Sequence, residues 1–160
     1  MTSESRSSRY DDDDASALVL TRVFDATPEQ VFRLWSDPEH VREWWHPRDF
    51  KTPVFEMDFR VGGSYRYCIR SERHDGWAHG HYQEIDAPHR LVFSFQWEGG
   101  DAAHDAPTII TLTFGLQDDD KTLLTFRQAP FASTAARDSH AAGWGQVLDA
   151  FGQSLAEVQA

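Results

Sequence analysis

The chain has little lysine, one cysteine and no long apolar run, and each shortage closes off a class of function. Lysine stands only at positions 51 and 121, and 15 basic residues face 26 acidic ones for a formal net charge of −11. So acidic a chain, with no basic cluster, does not fit nucleic acid or an anionic membrane as partner. No apolar stretch approaches the ~20 residues that a membrane-spanning helix needs. Residues 1–14 are rich in Ser, Arg and Asp and lack the apolar segment of a secretory signal. A cytoplasmic location is therefore expected. The single thiol, Cys68, permits no internal disulfide and fits that compartment. Between Tyr67 and Ile69 in a strand-like run, it reads as a buried, inert thiol rather than a nucleophile. The chain also contains no G-x-S-x-G, no phosphate loop and no dinucleotide fingerprint, so no cofactor is implied.

Aromatic residues, by contrast, are plentiful: Phe, Tyr and Trp make up 13% of the chain, with six Trp. The stretch that organises the rest is residues 133–158. There Trp144, Val147, Leu148, Phe151, Leu155 and Val158 recur at steps of three and four and share one helix face. Asp138, Gln146, Asp149, Gln153 and Glu157 fall mostly on the other side. At 1.5 Å rise this helix spans ~39 Å. Gly143, Gly145 and Gly152 each cost about 1 kcal/mol against Ala there, which points to close backbone approach or a bend near Trp144.

Upstream, residues 1–15 read as a disordered acidic tail, because Asp11 to Asp14 repel one another. Residues 16–160 form one domain. A first strand is expected over 18–24. Thr27-Pro28-Glu29-Gln30 is a capping box with proline at the first helical position, and Val31, Leu34 and Trp35 give that helix an apolar face. Asp37-Pro38 opens a second short helix that ends near Trp44-Trp45, before Pro47.

From Pro53 onward the pattern is a meander. Strands are expected at 54–58, 64–70, 77–85 and 91–97, then around Ile110 to Phe114 and Leu124 to Phe126. Gly62-Gly63 marks a bulge or tight turn, and Asp75-Gly76 a turn. In 64–70, Tyr65, Tyr67 and Ile69 share one face; in 91–97, Leu91, Phe93, Phe95 and Trp97 do the same. A loose loop covers 98–107. The order is strand, two helices, six strands, helix: an α+β domain in which a curved antiparallel sheet of about seven strands wraps one long C-terminal helix.

That order carries recognisable words. They are Phe24-Asp25-Ala26-Thr27-Pro28-Glu29 with Val31-Phe32, Trp35-Ser36-Asp37-Pro38-Glu39, Trp44-Trp45, and Asp58-Phe59-Arg60-Val61-Gly62-Gly63-Ser64-Tyr65-Arg66. Asp75-Gly76, Gly80-His81-Tyr82-Gln83-Glu84-Ile85, Pro88 with Arg90-Leu91-Val92-Phe93, and His140 with Gly143-Trp144 and Leu148 follow. Over residues 18–158 the chain resembles the small bacterial proteins related to the C-terminal domain of the activator of heat-shock-protein-90 ATPase. These belong to the START-like, birch-pollen-allergen-like helix-grip superfamily (SRPBCC). The resemblance implies a helix-grip fold and an apolar ligand held between sheet and helix; some superfamily members are cyclases or other enzymes. The eukaryotic co-chaperone has a separate N-terminal domain that nothing in this sequence matches.

The expected ligand-binding set is the sheet face carrying Tyr65, Tyr67, Phe93, Phe95, Trp97 and Phe114, opposed by Trp144. Trp35 and Trp45 close one end, and His79 and His81 supply polar points. A solid aromatic core is the competing reading of the same residues. His79 and His81 have the spacing of two metal ligands, but no third or fourth is placed by sequence, so no metal is expected. Asp58 and Arg60 read as a structural ion pair beside the glycines. The expected ligand is a hydrophobic small molecule, aromatic or lipid-like. Alternatives are an enzyme on the same cavity, of cyclase or hydrolase type, and a protein-interaction module related to chaperone ATPase activators, with a homodimer through the sheet edge or helix as one form of it. No catalytic residue is assigned.

Overall fold

The computed structural model describes residues 16–99 and 106–159. The expected acidic tail and most of the expected 98–107 loop lie outside the described residues. The chain begins with strand β1 (Leu18–Phe24), followed by helices α1 (Pro28–Ser36) and α2 (Pro38–Trp44). Six strands come next: β2 (Lys51–Met57), β3 (Ser64–Arg70), β4 (Asp75–Asp86), β5 (Arg90–Trp97), β6 (Thr108–Leu116) and β7 (Thr122–Ala129). Helix α3 (Thr134–Gln159) closes the order. The strands form one antiparallel sheet in the order β1-β7-β6-β5-β4-β3-β2.

Local chemistry accounts for the boundaries. Thr27 caps α1: its side chain accepts from the Gln30 amide while Gln30 Oε1 accepts from the Thr27 amide at 2.8 Å. Asp37 caps α2 by accepting from the Glu39 amide at 3.0 Å. Ser133 caps α3 through the Ala136 amide at 3.0 Å. Gly62 has φ +86°, and a Cβ on Gly63 would collide with the Asp58 carbonyl oxygen, so this tight turn requires glycine twice. Arg60 Nε meets Asp58 Oδ2 at 2.8 Å on the open surface, the structural pair that the sequence implied.

Two boundaries differ from expectation. Asp75-Gly76 is no turn; it opens β4. Ser71 makes the turn instead, pairing its amide with the His74 carbonyl at 3.0 Å, while Arg70 clasps Asp75 across the strand ends at 2.8 Å. Strand β2 starts at Lys51, and a register shift between Lys51 and Val54 absorbs Pro53, which has no N–H to donate.

Alternation then builds the core. In β6 and β7 every second residue is buried, and Leu91, Phe93 and Phe95 of β5 continue the same concave face. Helix α3 lies on it through Trp144, Val147, Leu148, Phe151 and Leu155, all buried. Phe24 meets Phe151 edge-on at 5.0 Å, and Phe126 meets Trp144 at 5.0 Å. Val158, in step with the same stripe, is 53% exposed and falls outside the packed part of it. Cys68 faces the convex side and is buried, and burial pushes its thiol up.

Candidate functional site

A cleft of ≈ 230 Å³ opens at the end of the sheet where β3 and β5 finish. Trp45, His46 and Pro47 wall one side, just past α2. Tyr67 and Ile69 come from β3 and Trp97 from β5. The first half of α3 supplies Ser139, His140, Gly143, Trp144 and Val147.

Each wall is fixed by hydrogen bonds. The Trp45 amide donates to the Val41 carbonyl at 2.9 Å, and the Trp45 carbonyl accepts from Thr52 Oγ1 at 2.7 Å. The following turn is tied to α3 by the Arg48 amide, which donates to Gln146 Oε1 at 2.7 Å. His46 turns its ring to the backbone, with Nδ1 3.2 Å from the Pro47 carbonyl and Nε2 3.2 Å from that of Glu43. On the opposite wall, Trp97 Nε1 donates to His140 Nε2 at 3.0 Å, and His140 Nδ1 lies 2.8 Å from the Ala136 carbonyl. An indole N–H only donates, so His140 Nε2 accepts and the ring proton sits on Nδ1, facing Ala136. His140 is thus held as one neutral tautomer with both nitrogens engaged. Gly76 lets the Trp97 ring approach β4 closely, since a Cβ there would stand 3.1 Å from it.

The lining contains no Lys, Arg, Asp or Glu. Two of its lining residues, Trp45 and Tyr67, bring side-chain donors beside each other. Burial holds the Tyr67 phenol well above its usual range, and the Trp45 indole beside it opposes the shift without reaching hydrogen-bond geometry. The indole N–H groups of Trp35, Trp44 and Trp45 are buried with no acceptor among the described residues.

Of the eleven residues expected to bind ligand, the structure brings Trp45, Tyr67, Trp97 and Trp144 together on the cleft. Trp35, Tyr65 and Phe93 instead surround a void of only ≈ 10 Å³ deeper in the core. That is room for about one water. Tyr65 is tied down by its hydroxyl, which donates to the Ser94 carbonyl at 2.6 Å. Phe95 packs on Trp97 and Trp144 at 5.3 and 5.6 Å, and Phe114 on Phe32 at 5.3 Å. The interior between sheet and helix is therefore filled over most of its length and open at one end.

His79 and His81 require a correction of place: they lie on the convex face, away from the cleft. Strand β4 points Ala78, Gly80 and Tyr82 inward, and Tyr65 pairs opposite Gly80, so the alternation sends both histidines outward. With Ala78 and Gly80 as the inward neighbours of His79, and Tyr82 the one bulky inward residue, period two alone did not reveal which face was buried. His79 Nδ1 meets Glu98 Oε2 at 3.0 Å, beside the Arg66 pair to the same carboxylate at 2.8 and 2.9 Å. These partners, Arg66 first, pull the Glu98 carboxyl down to about 2. Among the described residues no three His, Cys, Asp or Glu side chains gather as metal ligands. Sequence reasoning missed His46, Pro47, Ile69, Ser139, His140, Gly143 and Val147 as lining. The available signal was His140, a polar residue in helical step with Gly143, Trp144 and Val147 on the apolar stripe.

A seven-stranded antiparallel sheet gripping a long C-terminal helix, with a cleft along the first half of that helix, defines a helix-grip α+β domain. The chain belongs to the family of Activator of Hsp90 ATPase homolog 1-like proteins, whose model matches residues 25–156. Among solved structures it is similar to protein CV1439 from Chromobacterium violaceum at 25% identity and TM-score 0.79, covering 88% of this chain and 96% of that one. An AHSA1 protein from Silicibacter pomeroyi gives 21% identity and TM-score 0.77, with 88% and 97% covered. Protein NE0264 from Nitrosomonas europaea gives 17% and 0.76, with 92% and 98% covered. No curated protein matches. No helix among the described residues is long and apolar enough to cross a membrane.

Proposed function

We propose that this protein binds a small aromatic molecule in the cleft between β3, β5 and α3. The observation that carries the reading is an open, uncharged space walled by Trp45, Trp97 and Trp144 in a core otherwise closed by ring packing. A dry cavity of about 150 Å³ accommodates benzene, so ≈ 230 Å³ suits one or two fused rings. A mostly apolar lining with a few fixed polar groups is the composition of small-molecule sites. Binding is favoured over catalysis because His140, the histidine bonded to Trp97 across the cleft wall, has both nitrogens occupied and is not free to move a proton.

Titration with neutral one- and two-ring aromatics such as coumarin and 1-indanone tests this directly. Saturable quenching of tryptophan emission in the micromolar range is expected. Gly143→Leu adds a side chain to the cleft wall, where a Cβ finds nothing nearer than Pro47 at 3.9 Å. That variant should fold and lose the quenching. Absence of saturable binding across the panel, or undiminished binding by Gly143→Leu, would overturn the proposal.

A further inference from the structure

The cleft's polar groups are unbalanced in one direction, and the imbalance names a ligand chemistry. This inference rests on the cleft being the ligand site. Two lining residues carry neighbouring donors: the Trp45 indole N–H is buried without a partner in hydrogen-bond geometry, and it lies against the Tyr67 hydroxyl, whose one side-chain polar neighbour is that indole. Two donor groups thus sit side by side on residues that both line the cleft. The ring acceptor of the α3 wall, His140 Nε2, is already taken by Trp97 at 3.0 Å. An unpaired buried donor carries its desolvation cost until an acceptor arrives. A bound molecule therefore gains most by bringing an acceptor to that pair. Charge narrows the choice further. No Lys, Arg, Asp or Glu lines the space, so a carboxylate, phosphate or ammonium would enter without a counter-charge.

We infer that the ligand is a neutral aromatic molecule of one or two rings bearing a carbonyl oxygen. Its rings lie between Trp97 and Trp144, and its oxygen accepts from Trp45 Nε1 and the Tyr67 hydroxyl. A ketone, aldehyde, lactone or quinone satisfies this description; an aromatic hydrocarbon or an aromatic acid does not.

The test compares 1-indanone with 1-methylindane, which has nearly the same shape and no acceptor, and with indane-1-carboxylate and 1-aminoindane, which are charged. Dissociation constants are read by calorimetry on the full-length protein. The ketone is expected to bind at least tenfold more tightly than the other three. Tyr67→Phe keeps the ring and removes the hydroxyl, so it should cut the preference over 1-methylindane several-fold while leaving hydrocarbon affinity unchanged or higher. The infrared carbonyl stretch of bound 1-indanone provides a readout that needs no variant. It should lie below its position in an apolar solvent, as for a carbonyl accepting hydrogen bonds.

Equal binding of ketone and hydrocarbon, or an unshifted stretch, would overturn the acceptor inference and leave the cleft as an apolar site. Tighter binding of either charged analogue would overturn its neutrality. Failure of all four to bind saturably would instead overturn the cleft as ligand site, and this inference with it.

Discussion

Trp144→Ala probes both the packing of α3 and the cleft that it borders. The indole is 6% exposed and meets Trp45, Phe95 and Phe126 at centroid distances of 5.4, 5.6 and 5.0 Å. A tryptophan side chain buries roughly 200 Å². At about 25 cal/mol per Å², its complete loss from the core would cost ~5 kcal/mol. Part of the ring already fronts the cleft, however, and makes no protein contact there. Truncation also enlarges an open space that water can enter, rather than leaving a dry void. The expected loss is therefore about 3 kcal/mol, at the low end for tryptophan-to-alanine changes in cores. For a domain of this size that corresponds to roughly 6–12 °C in Tm. Urea unfolding followed by far-ultraviolet circular dichroism measures it. Val158→Ala on the same helix, at 53% exposure, should stay within about 0.5 kcal/mol of wild type. A Trp144→Ala loss below about 1 kcal/mol would refute the packing argument.

Three further outcomes follow from the geometry. Glu98, pulled down from its ordinary 4.5 to about 2 by Arg66 and His79, adds stability that is present above pH 4.5 and disappears as pH falls toward 2. Because its partners are partly exposed, Glu98→Gln should cost only about 1 kcal/mol at pH 6 and nothing by pH 2, read by unfolding at each pH. Gly63→Ala should destabilise more than Gly62→Ala, because one drives a Cβ into the Asp58 carbonyl while the other only strains a positive φ by about 1 kcal/mol; equal Tm losses would contradict this. Cys68 should resist a thiol reagent in native buffer and react within seconds in urea; fast native labelling would mean that the convex face opens.

Much of the architecture was legible because local chemistry and period agreed. Thr27-Gln30 and Asp37-Pro38 fix two helix starts whatever surrounds them. Tyr65-Tyr67-Ile69 and Leu91-Phe93-Phe95-Trp97 state which side of each strand is buried. Strand β4 states it only weakly, because its inward residues Ala78 and Gly80 are small, Tyr82 alone is bulky, and His79 and His81 are residues that either face can hold. Register against β3 decides the face, and register is a pairing between segments rather than a property of either. The cleft was legible only in part for the same reason. Trp45, Tyr67, Trp97 and Trp144 are bulky and apolar, as cavity walls and cores alike require. What separates the four that line the cleft from Phe95 and Phe114, which do not, is the crossing of α3 over the sheet. The Trp97–His140 bond spans 43 positions and exists only once that crossing is set.

The indole region of a proton–nitrogen correlation spectrum tests the central claim most directly, since the six tryptophans report from different parts of the fold. Trp45, Trp97 and Trp144 line the cleft, Trp35 and Trp44 are sealed in the core, and Trp77 lies on the convex face against Arg66. Titration with 1-indanone should shift the three cleft signals together along one saturation curve, with the largest change at Trp45, and leave Trp77 in place. A saturable shift confined to Trp77, or six unmoved signals at millimolar ligand, would contradict the cleft as the binding site.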